Sequence, residues 1–157
     1  MNSNIKLYIR WVLVFLWMAV IFYFSSQEGV ISHQKSFSVA ALCERIVEFF
    51  AGKDIITDAN RKSFEFCVRK LAHVTEYFVL CMLFYRAFLA GGNGHKKSAA
   101  KSFIFSFLYA ATDEIHQIFV AGRGPSPVDV GVDTIGMFLY LFQRMLKEKI
   151  KKGLSDI

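Results

Sequence analysis

The sequence predicts an all-α membrane protein with four transmembrane helices and an extracytoplasmic amphipathic helical segment between the first and the second. Apolar residues make up 54% of the 157 residues, aromatic residues 16%, and only two residues are proline. The mean hydropathy is +0.36, which is typical of membrane proteins rather than soluble domains. The apolar residues form four runs, each close to the roughly 20 residues that a helix needs to cross a bilayer. A chain of this length is expected to form one domain, residues 1–157.

The first apolar run, LYIRWVLVFLWMAVIFYF, covers about residues 7–24. Arg10 lies near its start, where a long basic side chain can reach the membrane interface. A secretory signal peptide is the competing interpretation, because basic residues precede an apolar run. The run is bulky and aromatic, and no A-x-A-like cleavage site follows it. We therefore predict an uncleaved transmembrane helix.

Residues 25–70 separate the first span from the second and are predicted to be helical rather than a plain linker. In the stretch FSVAALCERIVEFF, the apolar residues Leu42, Ile46, Phe49 and Phe50 recur at helical spacing. This pattern indicates a helix that lies on the membrane surface or packs over the bundle. A further helix is predicted to run through RKSFEFCVRKLAHVTEYF into the second span.

The remaining spans cover about residues 72–90, 98–120 and 128–145. Lys and Arg residues are concentrated on the side that carries both termini, where only Glu148 and Asp156 oppose them. By the positive-inside rule this side is cytoplasmic, together with the loop GGNGHKKSAAK. This distribution accounts for the net charge of +6. Because the basic residues form no stripe with stacking aromatic residues, no nucleic-acid partner is predicted.

This topology brings polar residues of all four spans to one depth, just below the outer surface. Arg69, His73 and Glu76 share one face of the second span, because they are spaced i, i+4 and i+7. The polar residues of the later spans are expected at the same depth; they are Asp113, Glu114, His116 and Gln117 in the third span, Arg123 in the turn, and Asp129 and Asp133 in the fourth span. Ionisable residues within a span cost about 2.5–3.5 kcal/mol each at mid-bilayer and often mark functional sites.

Two interpretations of this cluster stay open. It is either a structural network that ties the helices together, or a pocket in the outer leaflet whose polar groups exceed what pairing needs. The candidates for acid–base catalysis are His73, Glu76, Asp113 and His116. The candidates for ligand binding are Arg69, Glu114, Gln117, Arg123, Asp129 and Asp133. Asp113 and His116 have a spacing that can share an ion, but no HExxH signature is present, so neither a metal ion nor a cofactor is predicted.

Two stretches carry a recognisable pattern: RKLAHVTEYFVL at residues 69–80, and TDEIHQIFVAGRGPSPVDVGVDTIG at residues 112–136. Together they resemble the VanZ-like family of small bacterial membrane proteins, and the FSSQ after the first span is similar to the family's pattern. The family's motif positions fall on all ten candidate site residues and also on Lys70 and Tyr77. The family is named for a protein associated with low-level resistance to teicoplanin, a lipidated glycopeptide. The resemblance implies a multi-pass protein of the bacterial cytoplasmic membrane that acts in the cell envelope.

Three functions follow as hypotheses. The first is a membrane protein that binds or shields an amphiphilic envelope molecule, a membrane lipid or a lipoglycopeptide, at the outer leaflet. The second is an enzyme acting on an anionic envelope lipid, with His73 or His116 as its acid–base group. The third is a purely structural or partner-binding membrane subunit. A transporter is least favoured, because the polar groups stay at one end of the spans.

Overall fold

The computed structural model describes residues 3–52, 56, 57, 59–124 and 126–155. In this part of the chain it contains five α-helices, which confirms the all-α prediction. The helices are α1 (Ser3–Ser25), α2 (Gly29–Ala51), α3 (Arg61–Ala90), α4 (His95–Gln117) and α5 (Pro127–Ser155).

The 30-residue helix α3 is the centre of the structure and contacts α1, α2, α4 and α5. It runs without a break from the segment before the second predicted span into that span, as the sequence predicted. Its buried side chains include Tyr77, Leu80 and Phe84. Val14 from α1 and Met137 from α5 belong to the same core.

Helices α1, α3, α4 and α5 run in alternating directions. At one end of the bundle the Arg10 guanidinium, near the start of α1, donates a hydrogen bond of 3.0 Å to the Arg86 carbonyl near the end of α3. At the other end Gln117 of α4 donates one of 3.0 Å to the Ser25 hydroxyl of α1. All four helices therefore place the ends that the sequence assigned to the outer side next to one another.

Among the described residues, α1 and α3 are the helices long and apolar enough to cross a membrane. Large apolar side chains of α1, such as Tyr8 and Phe15, are exposed, unlike those of a helix in a soluble core. Val14 and Ile21 of α1 are nevertheless fully buried. If α1 were a signal peptide and were cleaved off, the core would be exposed at these positions. Helices α4 and α5 do not meet the same criterion of length and hydropathy, because their own polar residues lower their hydropathy. The four-span topology therefore stays a prediction.

Small residues allow the helices to approach closely. A Cβ added to Gly136 of α5 would overlap the Val74 carbonyl oxygen and lie 2.9 Å from the Phe78 nitrogen, both on α3. On α4, Ser98, Ser102 and Ser106 are fully buried, in keeping with the small residues that line helix interfaces in membranes.

Helix α2 contains the predicted amphipathic stretch but begins earlier, at Gly29. It is joined to α3 by an ion pair of 2.8 Å between Glu44 and Arg61. Gly52 ends it in the left-handed conformation, at φ 67°, with its N–H bonded to the Glu48 carbonyl. The side chains of Phe49 and Phe50 are 81% and 83% exposed. This apolar side faces away from the bundle rather than covering it, as expected for a helix on a membrane surface.

Two predicted span ends differ from the helix ends. The third span was predicted to reach residue 120, but α4 ends at Gln117, and the N–H groups of Ile118, Phe119 and Val120 bond to carbonyls three residues back. The fourth span was predicted to end at residue 145, but α5 continues to Ser155. Its first turn is favoured by Pro127 at the first helical position and by the Ser126 hydroxyl, which accepts the Val128 N–H at 3.3 Å.

Candidate functional site

A cavity of about 230 Å³ lies where the ends of α1 and α4 meet α2 and α3. Five of the ten candidate residues line it; they are Arg69, His73, Glu76, Asp113 and Arg123. Ser25 and Gln27 add uncharged polar groups. The rest of the wall is apolar and consists of Ile21, Phe24, Val39, Val68 and Ala72. The cavity is therefore amphiphilic, with charged and apolar surfaces facing one space.

Arg123 joins the α4–α5 turn to the end of α1. Its guanidinium donates to the carbonyl oxygens of Phe24, at 3.2 Å, and Gln27, at 3.3 Å. A cation at the carboxyl end of a helix is favoured by the helix dipole. Burial lowers the pKa of Arg123, and Asp113 opposes that shift. Arg123 therefore holds the α4–α5 turn against the end of α1 and brings a positive charge to the cavity.

His73 lies between two carboxyl groups. Its Nδ1 is 3.5 Å from Glu76 Oε2 on the same helix and 3.8 Å from Asp133 Oδ1 on α5. The backbone at Glu76 is tied to α1, because the indole N–H of Trp17 donates a hydrogen bond of 2.9 Å to the Glu76 carbonyl oxygen. Asp133 is 4% exposed and lies one helical turn before Gly136, where α3 and α5 touch. The close helix contact therefore sets the distance between His73 and Asp133.

Several buried polar atoms around the cavity have no hydrogen-bond partner among the described residues. They include the side-chain oxygens Asp113 Oδ1, Asp133 Oδ1 and Tyr77 Oη. Asp113 is 6% exposed, and its other oxygen accepts a long hydrogen bond of 3.4 Å from Gln117. Buried polar groups are usually paired. These atoms therefore leave hydrogen-bonding capacity unused in this part of the cluster.

The other candidate residues lie near the cavity but bond elsewhere. Asp129 forms an ion pair with Lys70. Glu114 accepts the backbone N–H of Ser126 at the start of α5. His116 packs against Phe22, with ring centroids 4.7 Å apart, and its Nε2 has no hydrogen-bond partner in the described part of the chain.

Sequence reasoning missed two parts of the polar structure. Val39 brings α2 into the cavity wall, and its apolar side chain carried no signal of that role. The second part lies at the opposite end of the bundle, around His95. Its Nδ1 lies 2.6 Å from the Tyr85 hydroxyl and 3.1 Å from Glu148 Oε1. These partners are distant in the sequence, so spacing could not reveal them.

Among the described residues, no three His, Cys, Asp or Glu side chains are grouped so that they could hold a metal ion. What the arrangement offers instead is two guanidinium groups, an imidazole and carboxyl groups around a partly apolar space. Such a site can bind charged head groups and can move a proton at His73.

The chain was compared with known proteins. No curated protein and no solved structure matches it significantly. The model of the VanZ/LLP1 family matches residues 10–146, a range that holds the whole cavity and both motif stretches. The family predicted from those stretches is confirmed, and the chain belongs to the VanZ/LLP1 family.

Proposed function

We propose that this protein binds or shields an amphiphilic molecule of the bacterial cell envelope in the cavity at the outer end of its helix bundle. The chain would be a multi-pass protein of the cytoplasmic membrane with both termini in the cytoplasm. The observation that supports this best is the cavity itself, whose lining combines Arg69 and Arg123 with apolar residues such as Phe24 and Val39. An amphiphile has the matching division into charged and apolar parts.

The size of the cavity limits what can enter it. Pockets for drug-sized ligands are roughly 300–1,000 Å³, and this one is about 230 Å³. It suits a lipid head group with the first part of its chain, or one substituent of a larger molecule. A teicoplanin-type lipoglycopeptide would therefore be engaged by one group only, or would be affected through an envelope lipid that the protein binds.

Filling the cavity tests the proposal. Ala72→Trp places an indole against the cavity wall. Leu71→Trp is the matched control, because the neighbouring Leu71 is exposed and lies outside the cavity lining. In a deletion strain complemented with each variant, we expect Ala72→Trp to lose the wild-type effect on lipoglycopeptide susceptibility and to co-purify with less envelope lipid. Leu71→Trp should keep both. Equal behaviour of the two variants, at equal abundance, would refute a role for the cavity.

The membrane orientation has its own test. In a background without native cysteines, Phe119→Cys at the α4–α5 turn should react with an impermeant thiol reagent added outside intact cells. Lys97→Cys at the start of α4 should react only after the membrane is opened. Both positions are exposed in the structure. Outside labelling of Lys97→Cys but not of Phe119→Cys would overturn the orientation.

The second candidate function is an enzyme that acts on an anionic envelope lipid. The position of His73 favours it, because Glu76 and Asp133 lie within 3.5 and 3.8 Å of one ring nitrogen and can orient the imidazole as a general base. His73→Gln and Asp133→Asn should then abolish lipid turnover while lipid binding persists. Lipid profiles of the complemented strains decide the matter: a binding protein changes no lipid species, whereas loss of an enzyme makes its substrate accumulate and its product disappear.

A further inference from the structure

The charges of the cavity indicate what kind of head group it suits. Two guanidinium groups, Arg69 and Arg123, and two carboxyl groups, Glu76 and Asp113, line the same space. Their formal charges cancel. A head group of one sign would meet charges of its own sign beside the buried Asp113, where unpaired charges are costly.

The buried carboxyl group specifies half of the ligand. Asp113 lines the cavity, is 6% exposed, and its Oδ1 has no hydrogen-bond partner among the described residues. An ionised carboxylate accepts hydrogen bonds and cannot donate them. When Asp113 is ionised, a partner for this oxygen must bring an N–H or O–H group, and an ammonium group also neutralises the charge.

The arginine side chains specify the other half. Arg69 and Glu76 lie on one face of α3, seven residues apart, which corresponds to about 10 Å along the helix axis. On this face the positive charge of Arg69 is thus separated from the negative charge of Glu76, whereas Arg123 lies near enough to Asp113 for their two charges to interact. A guanidinium pairs best with phosphate or carboxylate oxygens. One ligand can satisfy both regions only if it carries both charges.

We propose that the cavity binds a zwitterionic aminophospholipid head group, with its ammonium at Asp113 and Glu76 and its phosphate at Arg69 and Arg123. This inference rests on the proposed binding function and narrows its ligand class. The apolar wall formed by Ile21, Phe24 and Val39 receives the start of an acyl chain, which favours a lipid over a soluble zwitterion.

The test is a comparison of lipids with identical acyl chains on the full-length protein in detergent, read out by native mass spectrometry. Phosphatidylethanolamine carries both charges and N–H donors, phosphatidylcholine carries both charges without N–H donors, and phosphatidylglycerol is anionic. We expect phosphatidylethanolamine to bind at least about tenfold more tightly than either of the others, since a hydrogen bond to a charged group contributes that much. Preference for phosphatidylglycerol, or equal binding of phosphatidylcholine, would overturn the head-group assignment.

Two variants locate the effect in the cavity. Asp113→Asn keeps the size of the side chain and removes its charge, so the preference for phosphatidylethanolamine over phosphatidylglycerol should fall about tenfold. If Asp113→Asn does not fold, Glu76→Gln, at a half-buried position, should lower the same preference. A folded variant at either position that keeps the full preference refutes the proposal.

Two further measurements distinguish a lipid from a free head group, and failure of the zwitterion assignment from failure of the proposed binding function. Glycerophosphoethanolamine, which lacks acyl chains, should not bind at concentrations at which phosphatidylethanolamine saturates the protein. If it binds as tightly as phosphatidylethanolamine does, the lipid assignment is overturned. Ala72→Trp should block the lipid. If it blocks phosphatidylglycerol instead, only the zwitterion assignment fails. If Ala72→Trp prevents the binding of no lipid, both the zwitterion assignment and the proposed binding function fail.

Discussion

Gly136→Ala is the most direct perturbation of the helix contact on which the site depends. A methyl group at this position would overlap the Val74 carbonyl oxygen and lie 2.9 Å from the Phe78 nitrogen. Both atoms belong to the backbone of α3 and cannot turn away as a flexible side chain can. To accept the methyl group, α5 must shift away from α3 along the length where Asp133 approaches His73.

The change in the free energy of unfolding for Gly136→Ala follows from two opposing terms. Alanine is favoured over glycine inside a helix by about 0.5–1 kcal/mol. Inserting a carbon atom into a closely packed contact costs about 1–3 kcal/mol. Gly131→Ala is the matched control, because Gly131 lies in the same helix and a Cβ there meets nothing within 4 Å. The helix term is common to both variants, so their free energies of unfolding should differ by the packing term alone, about 1–3 kcal/mol.

Thermal unfolding of the purified variants in one detergent measures this difference. For a chain of this size, 1 kcal/mol corresponds to about 2–4 °C in Tm, so Gly131→Ala should melt several degrees above Gly136→Ala. Loss of phosphatidylethanolamine binding should accompany the lower Tm of Gly136→Ala if the contact also sets the cavity geometry. Equal melting temperatures would refute the close α3–α5 contact.

Three further changes test individual bonds. Lys70→Met and Asp129→Asn should each lower stability by about 1 kcal/mol or less, and a double-mutant cycle in thermal unfolding should show coupling between them; additive effects would mean that the ion pair contributes nothing. Tyr85→Phe should cost about 0.5–1.5 kcal/mol of unfolding free energy, because it removes the hydroxyl beside His95, and a Tm unchanged from wild type would contradict that contact. Trp17→Phe removes the donor of the 2.9 Å bond to the Glu76 carbonyl and should cost a similar amount, whereas a neutral change would show that the bond is dispensable.

The helices were largely predictable because their signals are local. Apolar runs and helical spacing in the outer segment identified all of them, including the unbroken passage from residue 61 into the second span. The end of α4 was not predictable in this way. Ile118, Phe119 and Val120 continue the apolar run, and Phe119 is 81% exposed. Hydropathy does not distinguish a helical turn from a tighter turn with the same exposed apolar side chains.

The site was predictable in its position but not in its inner arrangement. Alternating helices necessarily bring the polar ends together, so convergence followed from span order and spacing. Which side chains enter the cavity depends on how each helix is rotated, and packing at particular points such as Gly136 sets that rotation. The spacing rule placed Asp113 and His116 on one face, yet Asp113 lines the cavity and His116 packs on Phe22.

The polar cluster divides into two groups, and the division bears on its purpose. One group closes helix ends or pairs across them: Arg123 donates to carbonyls at and just beyond the end of α1, Glu114 accepts the N–H of Ser126, and Lys70 pairs with Asp129. Structural needs account for these. In the second group, Asp113 and Asp133 keep buried oxygen atoms without hydrogen-bond partners among the described residues, although His73 Nδ1 lies 3.8 Å from that of Asp133. A network built only for stability would be expected to pair such groups or replace them with apolar ones, because an unpaired buried polar atom costs about 1–3 kcal/mol. These oxygen atoms therefore support the proposed ligand binding over a purely structural role.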